Sequence, residues 1–138
     1  MIDERAMIHP SAKLAKGVSV GPGTVIGADV EIGENTWIGP HAVIEGPTTI
    51  GKNNKIFQFS SVGDEPQDIT YKGEPTRLEI GDNNVIREYC MISRGTVKGT
   101  AGSGLSVSVY SCVAARPYIR VRANIPVIAY ISVLIIRS

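Results

Sequence analysis

A chain of 138 residues, 43% apolar and 20% charged, has the size and mixture of one domain built on one core. Its formal net charge of +1 conceals an asymmetry, because residues 1–98 carry 10 Lys and Arg against 13 Asp and Glu while 99–138 carry four Arg and no acid. Two cysteines, Cys90 and Cys112, are too few for a disulfide framework, and MIDERAMIHP lacks the basic start and apolar run of a signal peptide. The most apolar stretch, IPVIAYISVLII at 125–136, is shorter than the ~20 residues a spanning helix needs. A cytoplasmic chain with no transmembrane segment is expected.

From Ile8 onward an aliphatic residue recurs at every sixth position: Leu14, Val20, Ile26, Ile32, Ile38, Ile44, Ile50, Ile56 and Val62, then again at Ile80, Ile86 and Ile92. Calling each anchor position i, position i+1 is often glycine (Gly21, Gly27, Gly33, Gly39, Gly51, Gly63, Gly81). Position i+4 is compact throughout, as at Val18, Thr24, Thr36, Ala42, Asn54 and Asn84. An antiparallel sandwich alternates with period two and turns at irregular intervals, so it does not keep a sixfold column. A flat prism does: each six residues make one short strand and one turn, three units close a coil, and coils stack at about 4.8 Å. The anchor and i+4 point inward, and glycine at i+1 is read as supplying turn dihedrals. The expected fold class is all-β, a hexapeptide-repeat parallel β-helix over residues 1–98.

The column breaks at 63–79, GDEPQDITYKGEPTRLE, with two prolines, two glycines and five acids. It is expected to leave the prism as an external loop, where rigid scaffolds commonly carry binding residues.

The stretch QDITYKGEPTRLEIGDNNVIREYCMISRGTVKG, 67–99, resembles the loop and following coil of the bacterial acyl-carrier-protein:UDP-N-acetylglucosamine O-acyltransferases, the first enzymes of lipid A synthesis. The opening MIDERAMIHPSAKLAKGVSVGPGTVIG fits that family and other hexapeptide acyltransferases. The resemblance runs from residue 1 to about 99 and implies a left-handed β-helix, a homotrimer with clefts between prisms, and transfer of a 3-hydroxyacyl chain from acyl carrier protein to the 3-hydroxyl of UDP-N-acetylglucosamine. Such chemistry needs a general base and an oxyanion donor, and no metal or diffusible cofactor. No nucleic-acid partner is implied.

Carried over residue by residue, Gln67 and Asp68 match the family's loop pair near the sugar nucleotide, and Tyr71 matches the aromatic of the same loop. Thr70 stands where the family usually has lysine, and Ser93 replaces the histidine often found before R-G-T; Ser93 keeps hydrogen-bonding capacity without the charge. The family's catalytic histidine follows R-G-T by a little over twenty residues. This chain has only His9 and His41, at i+1 and i+3, both outward positions. Two histidines also exclude a three-histidine zinc site of the carbonic anhydrase kind on the same prism.

Beyond residue 99 the anchor phase finds Gly104, Tyr110, Arg116 and Arg122, and acids, lysine, glutamine and histidine vanish together. A second phase, Val107, Val113, Ile119, Ile125 and Ile131, has no glycine after any member. We read 99–138 as an atypical tail, out-of-frame translation after a lesion near codon 100, with a genuine apolar cap as the alternative. On that reading the tail is irregular and aggregation-prone, no catalytic residue is assigned, and the chain is either an acyltransferase by ancestry without its base or a non-catalytic β-helix remnant.

Overall fold

The computed structural model describes residues 1–66, 69, 71–73, 76–94, 96–97, 105–110 and 130–133, with side chains through Arg94. Thirteen short strands wind around three faces. Face C holds β2 (Lys13–Leu14), β5 (Val30–Ile32), β8 (Thr48–Ile50) and β11 (Leu78–Ile80). Face A holds β3 (Ser19–Val20), β6 (Trp37–Ile38), β9 (Lys55–Ile56) and β12 (Val85–Ile86). Face B holds β1 (Met7–Ile8), β4 (Val25–Ile26), β7 (Val43–Ile44), β10 (Ser61–Val62) and β13 (Met91–Ile92). Every pairing within these faces is parallel, and anchor sits on anchor: Ile8 on Ile26, Ile26 on Ile44, Ile44 on Val62, Val62 on Ile92. The fold is the expected left-handed parallel β-helix.

The anchors fill the interior. Ile26, Ile38, Ile44, Ile50, Ile56, Ile86 and Ile92 are at most 1% exposed, and Ile32 is 3%. At i+4 the buried residues are Val18, Thr24, Val30, Thr36, Ala42, Thr48, Asn54, Ser60, Asn84 and Cys90. A prism this narrow leaves a polar i+4 side chain little water, so backbone groups of the neighbouring coil become its partners. Thr24 donates to the Gly39 carbonyl (2.7 Å) and accepts from the Ala42 amide (3.2 Å); Thr36 does the same with Gly51 (2.9 Å) and Asn54 (3.3 Å).

The turn dihedral expected of glycine at i+1 is found at Gly63, where the loop leaves (φ +83), but elsewhere the backbone corrects it: in the regular corners positive φ falls at i+3, on Gly17, Gly23, Asp29, Asn35, His41, Asn53, Phe59, Asn83 and Tyr89. Gly33 and Gly51 are glycine for another reason: a Cβ on Gly33 would lie 2.6 Å from the Gly51 carbonyl carbon, and one on Gly51 would lie 2.8 Å from that of Gly81. The corner is crowded by the coil above it, not twisted.

Strand partners lie 18 residues apart below the loop and 30 apart above it, as Lys13 to Glu31 and Asn54 to Asn84 show. The insertion therefore adds twelve residues, two hexapeptides, which is why the sixfold phase survives it. Regular structure resumes at Leu78, slightly before the expected boundary.

After Ile92 the grammar changes. β14 (Thr96–Val97) is not stacked on a coil; it pairs antiparallel with β15 (Leu105–Tyr110), which also runs antiparallel along β13 and pairs in parallel with β16 (Tyr130–Val133). The remaining positions of the expected irregular tail lie outside the described residues. Among the described residues, no helix is long and apolar enough to cross a membrane.

Candidate functional site

The loop leaves the prism at the corner between faces B and C. Gly63, with φ +83, starts it, and a Cβ there would sit 2.2 Å from the Glu45 carbonyl oxygen, so both dihedral and space demand glycine. Glu65 turns the chain by donating its amide to Asp64 Oδ1 (2.7 Å), while Ile69, 99% exposed, marks how far the loop has left the core. It returns through Thr76, which is buried, and through the Leu78 amide bonded to the Pro47 carbonyl (3.1 Å). Arg77 bonds the Thr49 hydroxyl and lies 3.9 Å from Glu79, pinning the return strand to face C.

Ser93 stands directly above Gly63. Both follow an anchor of face B, the Gly63 amide donates to the Ile92 carbonyl (2.7 Å), and the Arg94 amide donates to the Asp64 carbonyl (3.0 Å). The I-S-R run and the root of the loop are thus one place in the fold, although 30 residues separate them along face B. Ser93 is 1% exposed and Tyr71 is half-buried. Gln67, Asp68 and Thr70 lie outside the described residues. Two groups not singled out in the sequence are buried with no hydrogen-bond partner: the Arg94 Nε at this place, and the Thr76 hydroxyl where the loop returns. Arg94 sat inside the R-G-T motif; Thr76 sat in G-E-P-T-R, where nothing distinguishes it from a surface threonine.

The two histidines are exposed, as their outward positions predicted. His9 occupies the same corner column as Ser93 but four coils lower, a separation of about 19 Å at ordinary strand spacing, and it is engaged with the Ser11 hydroxyl (2.8 Å). His41 lies on the corner between faces A and B, stacked on Phe59 (6.0 Å), which stacks in turn on Tyr89 (5.6 Å). Neither imidazole lies at the loop root formed by Gly63, Asp64 and Ser93. Near the lower end, Arg5 hydrogen-bonds Asp3 and holds its carboxyl below the usual value. Among the described residues no three His, Cys, Asp or Glu side chains group as a metal site.

Residues 29–64 match the family described as Bacterial transferase hexapeptide (six repeats). The acyl-[acyl-carrier-protein]–UDP-N-acetylglucosamine O-acyltransferase of Saccharophagus degradans is 57% identical over 97 residues, covering 70% of this chain and 38% of that protein. Its counterpart from Pseudomonas putida is 66% identical over 100 residues, covering 72% and 39%. In solved structures, the UDP-N-acetylglucosamine O-acyltransferase of Moraxella catarrhalis superposes with a TM-score of 0.69 at 44% identity over 75% of this chain and 41% of that one. The Francisella novicida UDP-N-acetylglucosamine acyltransferase gives 0.65 at 46% over 70% and 36%. The chain thus spans less than half the length of these relatives. With identity of this order sustained over about a hundred residues, the chain is similar over that stretch to the acyl-[acyl-carrier-protein]–UDP-N-acetylglucosamine O-acyltransferases.

Proposed function

We propose that this prism is the sugar-nucleotide side of a lipid A acyltransferase, and that the 138-residue chain does not by itself turn over. The observation that carries the first half is the identity to relatives bearing that name, across a prism whose loop root is tied to the I-S-R run by Gly63 to Ile92 and Arg94 to Asp64. Gln67, Asp68, Tyr71 and Ser93 are the proposed contacts to UDP-N-acetylglucosamine, with acyl carrier protein delivering the 3-hydroxyacyl chain and a homotrimer completing the cleft.

Acyl transfer to a sugar hydroxyl requires a base within hydrogen-bond reach of the proton it removes. His9 and His41 are remote from the loop root, so the second half of the proposal follows. A non-catalytic β-helix remnant is then what the isolated chain amounts to. We further propose that 99–138 is not family sequence, because the charge balance and the anchor column fail together there. Reading the nucleotide sequence from codon 95 in all three frames tests that point; a frame that restores a histidine a little over twenty residues after R-G-T, in a H-I-A-H-D-like stretch as the resembled family has it, supports the proposal, and the absence of one refutes it.

Purified chain incubated with 3-hydroxyacyl carrier protein and UDP-N-acetylglucosamine is expected to give no acylated sugar nucleotide above blank. Turnover would show that the missing histidine is dispensable. Saturation-transfer NMR with UDP-N-acetylglucosamine alone separates binding from catalysis: contact with the uridine and sugar protons, reduced in Asp68→Ala, is the expected result.

A further inference from the structure

The outward positions of the three faces differ in chemistry. On face C they are Lys13, Glu31, Thr49 and Glu79, with ion pairs from Lys13 to Glu31 (3.3 Å) and from Arg77 to Glu79 (3.9 Å). That face suits water. On face B they are Met7, Val25, Val43, Ser61 and Met91, with no charge among them. On face A they are Ser19, Trp37, Lys55 and Val85.

The corner where faces A and B meet carries the most exposed rings. His41, Phe59 and Tyr89 take the i+3 position of successive coils and stack as a rib along the prism, 6.0 and 5.6 Å apart with planes inclined by 4° and 17°. Beside the rib, Trp37 meets Phe57 edge-on (5.2 Å) and Arg87 covers the Phe57 ring (4.1 Å). Phe59 is 52% exposed and Tyr89 69%, and Trp37, Val43 and Val85 are exposed around them. Single apolar side chains are ordinary on a surface, whereas a contiguous patch marks a contact.

The rib also limits what can cover it. A nucleobase binds by stacking on an open ring face, but Phe59 has a ring on each side and offers only its edge. The rungs repeat with the coils, so a partner whose side chains repeat at another interval would match one rung and miss the next. Another parallel β-helix repeats at the same interval, about 4.8 Å. A second copy of this chain has that spacing, and its face B has the uncharged surface to receive the rings.

We propose that the corner between faces A and B is a contact surface for a second copy laid alongside the first, the rib of one meeting face B of the next. Contact between unlike patches of identical chains closes into a ring. The inference deepens the homotrimer reading above, on which it rests, by naming the surface.

Trp37 is the single tryptophan of the chain and lies in the patch, so its fluorescence reports on this contact alone. Full chain is diluted stepwise while sedimentation velocity, Trp37 emission and acrylamide quenching are followed. A discrete oligomer is expected, whose dissociation shifts the emission to the red and increases quenching. Phe59→Asn and Tyr89→Asn keep a residue that tolerates the left-handed backbone of both sites, and circular dichroism checks that they fold. Each should weaken association about tenfold or more, as loss of a central ring does, while Lys13→Ser on face C should not. A trimer that survives both variants would overturn the inference and leave the homotrimer reading standing. A dimer lost in both would uphold the inference and overturn that reading. A monomeric chain would overturn both. Association through the tail leaves Trp37 quenching independent of concentration, and that result also overturns the inference.

Discussion

A glycine can be required by its dihedral or by its neighbours, and this chain separates the two. At i+3 the backbone is left-handed, and the residues chosen are mostly Gly, Asp and Asn, which tolerate that region. At i+1 φ is ordinary for Gly33 and Gly51, and crowding by backbone one coil away excludes a side chain. Gly51→Ala should therefore cost about 1–3 kcal/mol, because the added carbon meets both the Asp82 carboxylate and, at 2.8 Å, the Gly81 backbone, and the second cannot rotate aside. Gly73→Ala, with φ +80 and nothing within 4 Å of the added carbon, should cost only the dihedral, about 1 kcal/mol. Urea titration of both variants ranks them, and the reverse order would restore the turn explanation for i+1. The sequence shows that glycine recurs but not why, since the crowding partner is a full coil away. At the anchors there is no such ambiguity. Ile38→Asp places a carboxylate at a fully buried site with no partner, a penalty of several kcal/mol against a total stability of about 5–15. An unfolded circular dichroism spectrum is the expected outcome.

At the scale of elements, two-residue strands are too short to hold themselves, and pairing across coils supplies the cooperativity. The i+4 column ties those pairings together: Thr24, Thr36 and Asn54 each bond a carbonyl and an amide of the neighbouring coil. Asn54→Leu keeps the volume but orphans the Gly81 carbonyl and the Asn84 amide, so a loss of roughly 2–4 kcal/mol is expected. Thermal unfolding measures it, and a change below about 0.5 kcal/mol would mean that the column merely fills space. The compact character of i+4 was legible in the sequence; the direction of these bonds was not, because it depends on which coil lies above. The loop was legible as an interruption, and its closeness to Ser93 follows once Gly63 and Ser93 are seen to share a corner. Its length relative to the repeat was hidden, since an insertion of two hexapeptides leaves the sixfold phase unbroken. Exposed ion pairs, Lys13 with Glu31 on face C (3.3 Å) and Lys52 with Glu34 at the corner after it (3.9 Å), add little to stability in water.

At the scale of the molecule, the balance is set by how the stack ends. The lower end is partly closed, with Ile2 bridged to Val20 as a sixfold step back from Ile8. At the upper end the edge of face B is covered by the first described strand of the tail. Composition marks that tail as an aggregation risk, being β-branched and free of acids. Topology assigns β15 a second effect, since open edges recruit strands from other chains and β15 removes one such edge. Val109 lies opposite Ile92, and Val109→Pro deletes a backbone donor in the strand that covers β13. If the covering matters more than the intrinsic stickiness of the segment, this variant should show a larger pelleting fraction than the parent at equal concentration, with the difference growing as concentration rises. If stickiness dominates, proline should improve solubility, as gatekeeper substitutions do. We expect the first result, because β15 is held on both sides, by β13 and β14 on one and β16 on the other, and loosening it exposes β13 together with the tail. Analytical ultracentrifugation of parent and variant across a concentration series decides between them.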